Sequence, residues 1–216
     1  MGPEKHLHSR IKICVSGAAD TTHCGDGAME RAKELGREIA RQGAVLVTGA
    51  TTGFPIWAAM GAKEAGGISI GLSPASSEKE HTEVYGLPLD YMDIIVYTGF
   101  GYSGRNLLLT RTSDAVVVGC GRVGTINEFT IAFEDHKPLG VLQGPWSTDE
   151  VIDFMLKNSN REAEGIVVRN ESPKELITKL INIVQDAKVC ELGEKCPNYV
   201  YENHDGVGGK GGDLVL

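Results

Sequence analysis

Residues 99–133 read GFGYSGRNLLLTRTSDAVVVGCGRVGTINEFTIAF, and this stretch decides the fold. It opens on a glycine-rich turn (Gly99, Gly101, Gly104) and continues into a short apolar helix with Arg105 at its start. A buried strand follows at residues 115–118, then a second glycine turn at residues 119–124. Thr125 opens the next helix, with Glu128 in its first turn. A strand that ends in glycines and feeds a helix N-terminus suits a phosphate group. Glycine lets backbone approach the anion, and the free N–H groups and the helix dipole favour negative charge. Arg105 and Glu128 then start adjacent helices at the same edge of the sheet, which marks a candidate site.

Outward from that stretch the same unit repeats. Residues 11–16 form an apolar run closed by Ser16-Gly17-Ala18-Ala19, and residues 26–41 carry apolar side chains at helical spacing. Residues 44–48 predict a second strand running into Gly49-Ala50-Thr51-Thr52-Gly53, with Pro55 in the first turn of the helix beyond. Residues 68–72, 93–97, 139–142 and 166–168 predict further strands, and helices are expected near 148–156 and from Ser172 through Val184. Residues 73–92 read as a long crossing loop. Alternating strands and helices imply an α/β fold, a three-layer Rossmann-like doubly wound parallel sheet of about seven strands. Its ligand belongs at the carboxyl ends of the strands, where strand order reverses. One domain is expected over residues 1–216, with a polar arm at 1–10 and an aperiodic tail at 189–216.

Composition narrows the function. The 216 residues carry a net charge of −8, so no basic surplus exists for nucleic acid or an anionic membrane. One small phosphorylated ligand in a local cradle is compatible with that charge. The five cysteines are scattered without a Cys-x-x-Cys pair, and neither a zinc ribbon nor a disulfide framework is indicated. His6 and His8 lack a third ligand nearby. His23-Cys24-Gly25-Asp26 reads either as a metal fragment or as a turn with Asp26 near a helix N-cap, the reading taken here. No resident metal or cofactor is expected. With neither an apolar signal core nor a run of transmembrane length, the chain is expected to be cytoplasmic.

Two motifs resemble the LOG-type phosphoribohydrolases, a family often mislabelled lysine decarboxylases. That family carries an Arg-Lys pair with Asp-Ala nine residues after the arginine; here Arg105-Asn106 precedes Asp114-Ala115 at the same offset. The family's Pro-Gly-Gly-x-Gly-Thr-x-x-Glu is similar to Cys120-Gly121-Arg122-Val123-Gly124-Thr125-Ile126-Asn127-Glu128. The resemblance spans roughly residues 11–184. It implies hydrolysis of the N-glycosidic bond of a nucleoside 5′-monophosphate, with Arg105 and Glu128 catalytic. Phosphate would lie against Gly17, Gly49, Thr51, Thr52, Gly53, Gly121, Arg122, Val123, Gly124 and Thr125. Cys120, Arg122 and Asn106 depart from the family's proline, glycine and lysine. The wider superfamily also includes nucleotide sensors and molybdenum-cofactor carriers, so a non-catalytic binder is the alternative. Decarboxylation is rejected, because it usually needs a lysine Schiff base to pyridoxal phosphate and no lysine lies in the glycine turns.

Several residues carry two readings. Thr125 and Glu128 have the spacing of a capping box as well as that of a catalytic motif. Thr51 and Thr52 suit either phosphate contact or local capping. Tyr102 and Phe100 suit base stacking or packing on the sheet, and Asp20 suits a ribose contact or a turn. Residues 107–109 suggest that the Arg105 helix is buried, and Arg111 is expected to pair with Asp114. Arg122 beside a helix N-terminus is unfavourable by roughly 0.3–1 kcal/mol unless an anion is near; otherwise it pairs with Glu134 or Asp135. The apolar helix and the aromatic turn before it predict a homodimer with sites near its interface.

Overall fold

A computed structural model describes residues 10–159 and 165–191. The chain alternates as β1 (Lys12–Ser16), α1 (Ala28–Arg41), β2 (Val45–Thr48), α2 (Phe54–Glu64), β3 (Ser69–Ser73), β4 (Ile94–Tyr97), α3 (Gly101–Thr112), β5 (Ala115–Val118), α4 (Val123–Glu134), β6 (Leu139–Leu142), α5 (Thr148–Asn158), β7 (Val167–Asn170) and α6 (Pro173–Glu191). The strands form one sheet in the order β4-β3-β2-β1-β5-β6-β7. Every neighbouring pair is parallel. Strand order reverses at β1, which bonds β2 on one side and β5 on the other.

The central strands are buried on both faces, which is why they read as unbroken apolar runs such as VLVT and AVVV. One face packs against α1, α2 and α6 through Leu35, Ile39, Phe54, Ala58, Leu176 and Leu180. The other packs against α3, α4 and α5 through Leu109, Phe129, Ala132 and Ile152. The helices α1 and α2 approach closely. A Cβ on Gly36 would lie 1.8 Å from the Ala58 carbonyl oxygen, and one on Gly61 1.8 Å from that of Lys33.

Local patterns misplace several features. The helix α3 starts at Gly101, so of the three turn glycines only Gly99 precedes it, at φ +70°. Arg105 accordingly lies in the second turn of α3, and Glu128 in the second turn of α4. Leu107 and Leu108 are exposed; of the three leucines only Leu109 enters the core. Residues 80–84 in the expected loop wind into a π-helical turn, pinned by the buried His81 between the Ser73 hydroxyl (2.8 Å) and the Pro88 carbonyl (3.0 Å). The cap of α1 is Gly27 at φ +79°, with no side-chain hydrogen bond, so Asp26 does not cap it. The helix α6 continues past Val184 to Glu191, into the expected tail. His6, His8, the first nine residues of the arm and residues 192–216 lie outside the described residues.

Arg111 pairs with Asp135 (3.0 Å). Asp114 instead takes three donors: the Lys12 backbone N–H at 2.7 Å, Lys12 Nζ at 3.0 Å and Lys188 Nζ at 3.1 Å. It thereby ties β1 and α6 to the start of β5. Burial alone would raise this carboxyl, but the hydrogen bonds from Lys12 and Lys188 hold it below the ordinary carboxylate range. A carboxyl held low in the folded state stabilises above its unfolded value, and the contribution is lost as pH falls through the folded one. Asp114→Asn is therefore expected to lower the unfolding free energy at pH 7 by roughly 1.5–3 kcal/mol. The gap from wild type should close below about pH 4. Urea denaturation at pH 7 and pH 3 measures it; an equal gap at both would contradict the assignment.

Candidate functional site

A cleft of about 350 Å³ opens at the carboxyl ends of β1, β2 and β5, at the reversal of strand order. Its floor holds a buried ion pair, with Arg105 Nη1 2.9 Å from Glu128 Oε1. The Ser16 hydroxyl, at the end of β1, donates to Glu128 Oε2. The Asn106 amide lies between Glu128 Oε1 (2.8 Å) and the Tyr102 carbonyl (2.9 Å) on one side and Asn127 Oδ1 (2.8 Å) on the other, with its nitrogen as the donor. Burial pushes the Glu128 carboxyl above the usual range, against the opposing pull of Arg105 and the Ser16 O–H. Arg105 Nε is buried without a hydrogen-bond partner, and the guanidinium carbon lies 6.0 Å from the centre of the Tyr102 ring.

The wall above this pair is the N-terminus of α4. Its N-cap is Arg122, and no side chain caps it. The expected capping box between Thr125 and Glu128 does not form: α4 starts at Val123, so Thr125 lies within its first turn rather than opening it, and Glu128 in the second turn bonds Ser16 and Arg105 instead. The first-turn N–H groups lack intrahelical acceptors and carry the positive end of the helix dipole. Gly124 and Thr125 line the cleft there.

The glycines have two different roles. A Cβ on Gly17 would lie 2.6 Å from Phe54 Cβ, and one on Gly119 2.2 Å from Phe54 Cζ, so both admit a buried aromatic ring beneath the cleft. A Cβ on Gly53, at φ +71°, would run into the carbonyls of Ala18 and Ala19, one on Gly121 into Thr125, and one on Gly49 into Arg105 Nη1. Gly124 differs, since a Cβ there would meet nothing within 4 Å. Most of these glycines thus serve the protein's own packing, and Gly124 leaves open space on the cleft wall.

Of the sequence-derived site residues, Gly17, Gly49, Thr51, Arg105, Arg122, Gly124, Thr125 and Glu128 line the cleft together. Thr52 is exposed and donates to the Ala19 carbonyl (3.2 Å). Gly121 and Val123 lie on a neighbouring groove, where Val123 is exposed. Tyr102 lines the cleft, whereas Phe100 is exposed outside it. Arg122 turns to Asp20 (Nη1 to Oδ2, 3.1 Å) and to His23 Nδ1 (Nε, 3.2 Å), not to Glu134 or Asp135. Asp20 also accepts from the Thr22 N–H (3.1 Å), which lowers its carboxyl pKa, so turn and cleft-lining roles coincide. Cys24 and Cys120 form a disulfide across 96 residues of sequence, against the expectation of none. Sequence reasoning missed Ser16; its signal was one hydroxyl closing the otherwise apolar run ICVS.

A switch-point crevice walled by an uncapped helix N-terminus defines the class of Rossmann-like doubly wound proteins. Within that class the chain belongs to the SLOG cluster4 family, whose family model matches residues 10–177. It is 29% identical to the molybdenum cofactor binding protein of Rippkaea orientalis, over 82% of this chain and 98% of that one, with a TM-score of 0.66. It is 27% identical to the molybdenum cofactor carrier protein of Chlamydomonas reinhardtii, over 82% and 99% of the two chains, with a TM-score of 0.65. An uncharacterized protein of Archaeoglobus fulgidus is 30% identical over 135 residues, 62% of this chain and 83% of that protein.

The free space at Gly124 separates stability from binding. Gly124→Ala is expected to stabilise the fold by roughly 0.5–1 kcal/mol, because alanine is the better helix former. The same methyl should weaken binding of a phosphorylated ligand at the α4 N-terminus. A higher melting temperature with weaker AMP binding in calorimetry is the expected pair of results; undiminished binding would move the anion site off this wall.

Proposed function

We propose that the chain binds a phosphorylated nucleotide or pterin-type cofactor in the β1–β5 cleft and holds it without cleaving it. The observation that carries this reading is the state of Glu128. Its Oε1 accepts from Arg105 and its Oε2 from Ser16, which ties the carboxylate into a buried ion pair and lowers its availability as a base. The α4 N-terminus with Thr125 takes the phosphate, and Arg122 adds a cation at the rim. Tyr102 offers a ring face to the heterocycle. The residues fit such a group: the cleft volume is within the range of small-ligand sites, and the orphan Arg105 Nε is a donor awaiting an acceptor. Similarity to two molybdenum-cofactor-binding proteins supports the same class. The net charge of −8 supports a small ligand over nucleic acid.

Hydrolysis of a nucleoside 5′-monophosphate is the second reading. It is favoured by the buried Arg105–Glu128 pair and by a carboxyl whose pKa burial raises. In either reading the exposed Phe100, Tyr102, Leu107 and Leu108 on and beside α3 suit the face of a homodimer. A monomer in light scattering at micromolar concentration would remove that element.

Incubation with nucleoside monophosphates, followed by assay for ribose 5-phosphate, separates the two readings. Retention of ligand through gel filtration without ribose 5-phosphate is expected. Turnover abolished by Glu128→Gln would establish hydrolysis instead. Arg122→Gly should weaken AMP binding and flatten its salt dependence. Unchanged affinity in calorimetry would remove Arg122 from the phosphate contact.

A further inference from the structure

Beside the cleft, three metal-ligating side chains converge from two loops. The ligand atoms of His23, Cys24 and Cys120 all lie within 4.8 Å of one another. Cys24 and Cys120 are joined as a disulfide with Cα atoms 5.6 Å apart, and His23 Nε2 lies 3.5 Å from the Cys120 sulfur. Both cysteines are fully buried, whereas His23 is exposed and gives the group its opening to solvent. The main chain holds the same arrangement, since the Ala18 N–H donates to the Cys120 carbonyl (2.8 Å).

We propose that, when the disulfide is reduced, His23, Cys24 and Cys120 form a binding site for a thiophilic divalent cation, Zn²⁺ by its chemistry. Two thiolates and an imidazole are a zinc donor set, and three protein ligands leave the fourth tetrahedral position open. Zinc–sulfur bonds of about 2.3 Å at a tetrahedral angle set the sulfurs roughly 3.8 Å apart. Side-chain rotation between Cα atoms 5.6 Å apart reaches that spacing with the backbone in place. Opening the site needs a dithiol reductant. The Cys24–Cys120 S–S bond breaks and takes up two electrons and two protons, and the reductant leaves as its own disulfide. Zinc then displaces two thiol protons as it binds. The disulfide is therefore the closed form of the site.

The site also governs Arg122. His23 Nδ1 accepts the Arg122 Nε–H at 3.2 Å, which assigns the ring proton to Nε2, facing Cys120. A metal on Nε2 shifts that proton to Nδ1. The ring then presents a donor to the guanidinium, and the hydrogen bond is lost. Arg122 lines the cleft, so metal occupancy frees its Nε from His23 and leaves the guanidinium held by Asp20 alone.

The test uses the full chain carrying Cys190→Ser and Cys196→Ser, so that no cysteine of the C-terminal segment competes. The protein is reduced with dithiothreitol, freed of reductant under nitrogen and titrated with Co²⁺ as the probe. One equivalent should bind, with thiolate-to-cobalt charge-transfer absorption and the intense d–d bands of a tetrahedral site, and Zn²⁺ should displace it. Oxidised protein should show neither band. Cys120→Ser and, separately, Cys24→Ala should lose the charge-transfer intensity while circular dichroism stays that of the folded chain. His23→Ala should keep charge transfer but shift the d–d bands and weaken binding. Reduced protein without thiolate charge transfer, or the same spectrum in the Cys120→Ser and Cys24→Ala variants, would overturn the site. Equal binding by oxidised protein would overturn the gate. An Arg122 Nε–H resonance unmoved by Zn²⁺ in NMR spectra would overturn the coupling.

Discussion

A guanidinium and a carboxylate lie buried together where the sheet reverses its strand order, and much of the surrounding structure answers to that pair. Burying either charge alone costs several kcal/mol, and breaking such a pair is more damaging than never forming it. The neighbouring elements are arranged accordingly. Ser16 ends β1 with a hydroxyl on one carboxylate oxygen, and Gly49 follows β2 without a side chain, leaving room for the guanidinium. Asn106 supports the pair from α3, and Glu128 reaches it from α4. Two strand ends and two helices are thus held in register by one electrostatic requirement. The α4 N-terminus, whose N-cap is Arg122, carries no side-chain cap and faces the cleft.

Beneath the charged floor the constraint changes from charge to volume. Phe54 occupies the space that side chains on Gly17 and Gly119 would fill, and its ring meets Trp146 edge-on at 6.0 Å. A fully buried aromatic ring between two glycine turns couples the start of α2 to the ends of β1 and β5. The cleft therefore rests on close-packed apolar material, and its floor is fixed by the same contacts that hold the core together.

The sheet was legible in the sequence because strands buried on both faces read as apolar runs with sharp ends. Ala115–Val118 and Leu139–Leu142 fall where the runs place them. Helix starts were less legible, since Gly101 and Gly104 look like a turn in one dimension yet lie within α3. At Thr125 and Glu128 the local capping pattern is out of register with a helix that starts earlier, at Val123, and Glu128 turns to Arg105 instead. Partners far apart in sequence could not be read at all. Arg111 finds Asp135, Arg122 finds Asp20, and Cys24 finds Cys120, each across elements that only the folded sheet brings together. The glycines were visible, but the atoms they make room for were not.

The bond between Cys24 and Cys120 also has a topological meaning. It closes the backbone into a ring that contains β2, β3, β4 and β5 but excludes β1, the strand lying between β2 and β5 in the sheet. The centre of the sheet is thus supplied by the linear N-terminal branch, while the ring wraps it from both sides. A single backbone cut inside residues 24–120 leaves one covalently connected molecule, whereas a cut beyond residue 120 separates the chain in two. A metal held by both sulfurs would close the same ring through coordinate bonds.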